Sequence, residues 1–323
     1  MRIVVALGGN ALLLRGERAD ASVQLHHVEA AARALAPLAA EHELVVCHGN
    51  GPQIGLLALE SEADPSLTRP YPLDTLGAET QGMIGYWLAQ SLRNAGVRKP
   101  VLAVVTQTVV DAADPAFAEP TKFIGPIYDR AQADRLAELN GWTMAADGSH
   151  WRRVVASPEP LRLVEQESVE QLVSGGTIVV CAGGGGAPVV DDGQLRGVEA
   201  VVDKDLTSAA LAIALKADHL LLLTDVPAVM SDYGMPTEEP LHHLDVAELG
   251  HLSFPAGSMG PKIEACRRFV EATGSTAGIG ALTDAAGLLA GTAGTTVGRL
   301  TPRGGRSGSC TGSSSGGPVI VGS

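Results

Sequence analysis

Aromatic side chains make up only 3% of this 323-residue chain, and there are just four cysteines and five lysines. The cysteines, at 47, 181, 266 and 310, are scattered with no C-x-x-C spacing, so neither a zinc ribbon nor a disulfide framework is encoded. They read as buried thiols of a reducing compartment. Long hydrophobic runs are missing too: Ala209–Leu215 spans seven residues, against the ~20 needed to cross a bilayer. The opening MRIVVALGGN has too short an apolar stretch and too many glycines for a secretory leader, so a cytoplasmic protein with no membrane partner is expected. Positive charge is scarce. Lys and Arg total 23 against 36 Asp and Glu, and the net −13 opposes a broad surface for nucleic acid or anionic lipid. No G-x-x-x-x-G-K-[ST] or G-x-G-x-x-G string occurs, which removes the P-loop and dinucleotide fingerprints.

What the chain has in excess is glycine, 39 residues, and much of it follows β-branched runs. Arg2–Leu7 enters Gly8-Gly9-Asn10, Glu43–Cys47 enters His48-Gly49-Asn50-Gly51, and Thr177–Ala182 enters Gly183–Gly186. Short continuous apolar strands alternating with helical stretches predict an α/β fold, a mostly parallel open sheet covered on both faces. Helices are predicted over His26–His42, with a kink or early stop at Pro37, and over Glu79–Ala95, Leu206–Ala217 and Pro261–Thr273. Ligands of such sheets sit beyond the carboxyl ends of the strands, where these glycines fall.

Three segments stand apart. Asp111–Arg153 reads as loop-rich, and about 112–170 as an insertion or lid-like protruding subdomain within an N-terminal lobe 1–215. Residues 216–300 read as a C-terminal lobe, and 301–323, rich in Gly and Ser, as a low-complexity flexible tail outside the functional argument.

Successive backbone N–H groups in tight turns form nests for phosphate or carboxylate, so three such turns after strands predict an anion cleft. Three of the five lysines also lie in glycine-, proline- or acid-flanked turns that read as loop-to-helix signals: Lys122 in PTKFIGP, Lys204 in VVDKDLTS and Lys262 in GSMGPK. A lone lysine is ordinarily a surface residue, and so Lys99 and Lys216 are read. Three at loop-to-helix signals fit phosphoryl transfer, where catalysis is alignment plus stabilisation of charge spread over moving oxygens. An ammonium 4 Å from a unit charge at an effective dielectric near 20 is worth about 4 kcal/mol before desolvation. Asp203 and Asp205 flank Lys204, and each is suited either to cap the following helix or to hold lysines. A metal cage of protein side chains alone has no suitable spacing. His48 sits beside the Gly49-Asn50 turn and reads as structural rather than as a base.

The segments VVALGGNAL (4–12), VVCHGNGPQIG (45–55), PLDTLGAETQGMIGY (72–86), PTKFIGPIY (120–128), CAGGGGAPV (181–189), AVVDKDLTSA (200–209), LLTDVPAV (222–229) and AGSMGPKIEA (256–265) resemble those of carbamate kinases, within the amino acid kinase family. The likeness covers residues 2–298. It implies a three-layer αβα sandwich with two lobes and a protruding subdomain, assembled as a homodimer. It implies reversible phosphoryl transfer between ATP and carbamate, giving ADP and carbamoyl phosphate, with Mg2+ on the nucleotide phosphates and use in ATP synthesis during arginine breakdown.

Matched motif by motif, the resemblance puts Gly8, Gly9, Asn10, Gly49 and Asn50 at the carbamoyl end. Lys122, Lys204 and Lys262 fall on the phosphate-facing lysines and Asp205 on the acid that organises them. Gly183, Gly184, Thr224, Asp225, Gly257, Ser258, Met259 and Gly260, with Lys262, fall to the nucleotide. Phe123, Ile127 and Pro227 depart from the family's usual strings, bearing on the subdomain and the nucleotide rim. Two alternatives remain at this stage: a kinase of the same family acting on glutamate or acetylglutamate, and a nucleotide-binding protein without transfer activity.

Overall fold

The apolar runs that end in glycine form the central strands of the computed structural model, which describes residues 1–9, 12–14, 16–249 and 259–299 and the backbone of 321–322. Eight strands make one sheet in the order His243–Asp245, Thr295–Gly298, Thr276–Ala281, His219–Thr224, Arg2–Leu7, Glu43–His48, Ile178–Val180, Val101–Ala103. Every neighbouring pair is parallel except Thr276–Ala281 with Thr295–Gly298.

Side chains alternate along each strand, so both faces need covering. Val4 and Ala6 of the Arg2–Leu7 strand face one layer, with Ala209, Leu211, Ile263, Phe269 and Val169 from the helices Lys204–Ala214, Met259–Thr273 and Gln166–Ser174. Ile3, Val5 and Leu7 face the other layer, with Val28, Leu35, Ile84, Leu88 and Leu288 from Ala21–Glu41, Leu73–Asn94 and Ala285–Leu289. The result is the expected three-layer αβα sandwich. The boundary read at 215/216 falls between adjacent strands of this one sheet, since His219–Thr224 pairs with Arg2–Leu7. Arg2–Leu7 is also where strand order reverses, with Glu43–His48 on one side and His219–Thr224 on the other. The crevice at such a switch point is the ligand-binding place of open α/β sheets.

Two local readings are corrected. Pro37 does not shorten its helix, which is continuous from Ala21 to Glu41. Arg33 and Pro37 are both exposed, so the carbonyl that loses its intrahelical partner faces water. Asp111–Arg153 is not mainly loop. Lys122–Tyr128, His150–Val155 and Met144–Asp147 form an antiparallel sheet, backed by the helix Arg130–Asn140. That helix starts in a reciprocal Asp129/Gln132 capping box and stops at Gly141 in the left-handed region.

A further sheet of Leu195–Gly197, Ala187–Asp191, Gln107–Val109 and Arg162–Leu163 leads the chain from the Gly183–Gly186 turn to Asp203. Val321–Gly322 pairs antiparallel with Val229–Ser231; residues 301–320 and 323 of the tail lie outside the described residues. Cys47, Cys181 and Cys266 are buried free thiols, while Cys310 is outside the described set. No described helix is long and apolar enough to cross a membrane.

Candidate active site

Three adjacent strand ends supply the floor of the site. Gly8 N–H bonds to the Leu223 carbonyl at 2.8 Å and Gly49 N–H to the Leu7 carbonyl at 2.9 Å, so the turns after three adjacent strands are tied together. A Cβ on Gly49 would lie 2.9 Å from Gly9 N, and one on Gly8 3.1 Å from the Leu223 oxygen. Only glycine permits this approach. Asn50 is buried and donates to Thr80 Oγ1 at 2.8 Å. Asn10 lies outside the described residues.

The Gly183–Gly186 turn closes against that floor. A Cβ on Gly183 would stand 2.3 Å from His48 Nε2, and one on Gly184, where φ is +62, 2.1 Å from Asn50 Nδ2. The structure therefore seats Gly183 against His48 and Gly184 against Asn50. Thr108 and Thr207 hydroxyls both donate to the Gly185 carbonyl, at 2.6 and 3.2 Å, which pins the turn to the start of the Lys204–Ala214 helix. His48 is 1% exposed and its Nδ1 meets the Gly49 carbonyl at 2.9 Å. Burial pulls its pKa down to about 4, so it stays neutral near pH 7.

Two helix N-termini supply the charge. Asp203 caps Lys204–Ala214, its Oδ1 accepting from Asp205 N at 2.9 Å and Leu206 N at 3.3 Å. Its other oxygen, Oδ2, takes an ion pair from Lys122 of the protruding sheet. Asp205, one helical position beyond Lys204, holds that lysine's Nζ on Oδ1 and the Lys262 Nζ, 3.2 Å away, on Oδ2. Lys262 comes from the first turn of Met259–Thr273, so one carboxylate gathers ammonium groups from two helices. Lys204 and Lys262 are only 8% and 4% exposed.

Burial pushes both carboxyls up, but the lysines outweigh it and hold Asp203 and Asp205 below their usual range. Burial draws Lys204 below the ordinary lysine value against the pull of Asp205. For Lys262 the carboxylates Asp205 and Asp203 win over burial, and its pKa rises.

The nucleotide-side residues adjoin this cluster. Thr224 Oγ1 donates to Asp225 Oδ1 at 2.9 Å, and Thr224 Cα would lie 3.6 Å from a Cβ on Gly8. Asp225 acts electrostatically on Lys262. Met259 is buried, and among the described residues nothing stands within 4 Å of where a Gly260 side chain would begin. Gly257 and Ser258 lie outside the described residues.

The amino acid kinase family model matches residues 1–279. The chain belongs to the amino acid kinase family. Within that family it is 50% identical over 302 residues to the carbamate kinase of Rhizobium meliloti, covering 92% of this chain and 93% of that one. Its fold matches the carbamate kinase of Giardia lamblia bound to citric acid with TM-score 0.87 at 36% identity, over 93% and 98% of the two chains. The same Giardia enzyme bound to AMP-PNP matches with TM-score 0.82 at 36% identity, again over 93% and 98%.

Among the described residues no group of three or more His, Cys, Asp or Glu is placed to hold a metal ion. Asp203 and Asp205 are both engaged by lysines. The partner of Lys122 was the least legible part of the site in the sequence. Asp203 was open to either capping or lysine holding, and it does both, one oxygen for each.

Proposed function

We propose that the chain transfers a phosphoryl group reversibly between ATP and carbamate, giving ADP and carbamoyl phosphate. The observation that carries this reading is the single carboxylate of Asp205 holding Lys204 and Lys262 at paired helix N-termini, above glycine turns at the strand switch point. Carbamate is small and already anionic, so its oxygen attacks the γ-phosphorus without a side-chain base. A neutral, buried His48 spent on the Gly49 carbonyl is consistent with that. In this reading the N–H groups of the Gly8–Gly9 and Gly49–Asn50 turns hold the carbamoyl end, with Gly183 and Gly184 shaping that pocket from behind. Thr224, Asp225, Met259 and Gly260, with Gly257 and Ser258, border the nucleotide.

Lys204 and Lys262 follow the charge on the migrating phosphoryl oxygens, and Lys122 leaves Asp203 to reach the phosphate from the protruding sheet. Mg2+ travels on the nucleotide phosphates, since the aspartates are occupied. The division into a substrate lobe 1–215, including the subdomain at about 112–170, and a nucleotide lobe 216–300 follows the same reading. So do the cytoplasmic setting and the direction of use, toward ATP from carbamoyl phosphate in arginine breakdown. A homodimer is supported by an apolar edge: Tyr86, Leu102 and Val105 are 58%, 45% and 49% exposed, beside the contact of Gly85 with Ala103.

The direct test is purified protein with ADP, Mg2+ and carbamoyl phosphate, read as ATP formed. Production of ATP, with no consumption of ATP on glutamate or acetylglutamate, supports the proposal. No ATP above background at high protein concentration rejects it.

A further inference from the structure

The strand that carries Lys122 lies backbone to backbone on the helix that begins at the Gly49–Asn50 turn. That helix is Gly51–Ala63. A Cβ on its Gly55 would fall 1.9 Å from Gly125 Cα and 2.2 Å from Gly125 N. One turn earlier, a Cβ on Gly51 would stand 3.9 Å from the Phe123 carbonyl oxygen. Residues 51 and 55 share a helix face, so residues 123–125 run along a track with no side chains in the way. Ile124, fully buried, packs with Ile54 and Ala58 of the same helix. Gly125 has φ +71, a value that favours glycine, and its carbonyl accepts from Arg152 Nη2 at 2.9 Å.

We infer that Gly55 and Gly125 are positioning residues for Lys122: their contact sets how far the lysine stands from the Gly49–Asn50 turn. The inference rests on the reading of Lys122 as a phosphate-contacting residue. The turn heads the helix, and Lys122 sits three residues before the contact, so one rigid element references both. The protruding sheet is thereby keyed to the substrate turn at its root, and its lysine does not depend on the nucleotide side for placement. The pair has to be glycine. A methyl at 55 forces the strand to lift by about 1.5 Å to reach ordinary carbon contact. A displacement of ~1 Å at a reacting centre costs on the order of 10²-fold in rate.

The experiment measures kcat, KM for carbamoyl phosphate and ADP affinity for the native chain, Gly55→Ala, Lys122→Ala and the double variant. Gly55→Ala is expected to lower kcat by roughly 10- to 100-fold while ADP affinity stays within about twofold. In the Lys122→Ala background the same change is expected to alter kcat by less than about twofold, because the lysine through which it acts is gone. Gly82→Ala, at a helix position where no described residue lies within 4 Å of the added carbon, controls for helix substitution and keeps native turnover.

If Gly55→Ala does not fold, Arg152→Met takes its place, releasing the Gly125 carbonyl from the other side; a fall in kcat that vanishes without Lys122 is again expected. Near-native turnover in Lys122→Ala overturns the reading of that lysine. A slow Lys122→Ala alongside native turnover in Gly55→Ala, or equal slowing with and without Lys122, overturns the positioning inference alone. So does native turnover in Arg152→Met when that variant is the one tested.

Discussion

Replacing Asp205 by Asn tests the charge arrangement most severely, because it keeps the shape and removes one charge. The Asp205 side chain is 5% exposed and holds the ammonium groups of two lysines whose side chains are 10% and 6% exposed, so solvent does little to replace it. Removing one partner of a buried ion pair costs about 3–5 kcal/mol, since the remaining charge is left uncompensated. Here two cations lose the carboxylate they share and keep only the influence of Asp203 on both and of Asp225 on Lys262. The expected loss of stability in denaturant melts lies in that range.

Turnover is affected separately. Lys204 already sits below the ordinary lysine value through burial, and Asp205 is the first influence opposing the fall. Without Asp205 its pKa drops further, and a lysine is charged only below its pKa. The alkaline limb of kcat therefore moves to lower pH in Asp205→Asn, and kcat at neutral pH falls by roughly 10²–10³. The assay is ATP formation from ADP and carbamoyl phosphate across pH 6–10, alongside urea melts. A variant within about 1 kcal/mol of native stability, with an unmoved alkaline limb, refutes the reasoning.

Lys262→Ala removes one phosphate-facing ammonium but leaves Asp205 paired with Lys204, so it should stay folded and lose ~10²-fold or more in kcat; near-native turnover contradicts the role. Asp203→Asn keeps an oxygen for the helix cap and loses the ion pair with Lys122. Asp203 is held below its usual 3.8, so its contribution is present above that pH and is lost as pH falls through the lower folded value. Stability measured from about pH 4 downward should show a shallower acid limb in the variant, and identical limbs count against the pairing. His48 folds with its pKa lowered from 6.5 to about 4, so stability is full above 6.5 and falls by roughly 3 kcal/mol as pH drops to 4. His48→Asn should flatten that slope in pH-dependent melts; an unchanged slope means the imidazole is not buried neutral.

Much of the scaffold was legible because its signals are local. Arg2–Leu7 was read residue for residue, since a continuous apolar run broken by two glycines has one sensible outcome in a doubly covered sheet. Lys204 and Lys262 were singled out by scarcity, few lysines, each read at a turn before a helix, and the structure brings both onto Asp205. The protruding sheet was underread because its strands KFIGPIY and HWRRVV are short, half-buried and interrupted by proline and a register shift. A signal was nonetheless there. Asp129 and Gln132 form a capping box that announces the helix between those strands.

What no local pattern gives is contact between distant segments. The ion pair of Lys122 with Asp203, 81 residues apart, and the approach of Gly55 to Gly125 exist only through the fold. The turn Gly183–Gly186 was recognised as glycine-rich for good reason, but the reason is His48 and Asn50 pressing against it. Sequence marks where side chains must be absent and leaves unsaid what fills the space.

The central claim is that Lys204 and Lys262, gathered by Asp205, stand over the phosphoryl group as it moves. It is tested by a crystal structure of the protein with ADP, Mg2+, carbamate and aluminium fluoride, which mimics the transferring phosphoryl. The account predicts both Nζ atoms within ~3 Å of fluoride or phosphate oxygen, at charge-assisted hydrogen-bond distance. Both atoms standing more than ~6 Å away, beyond the reach at which charges act as partners, would contradict it.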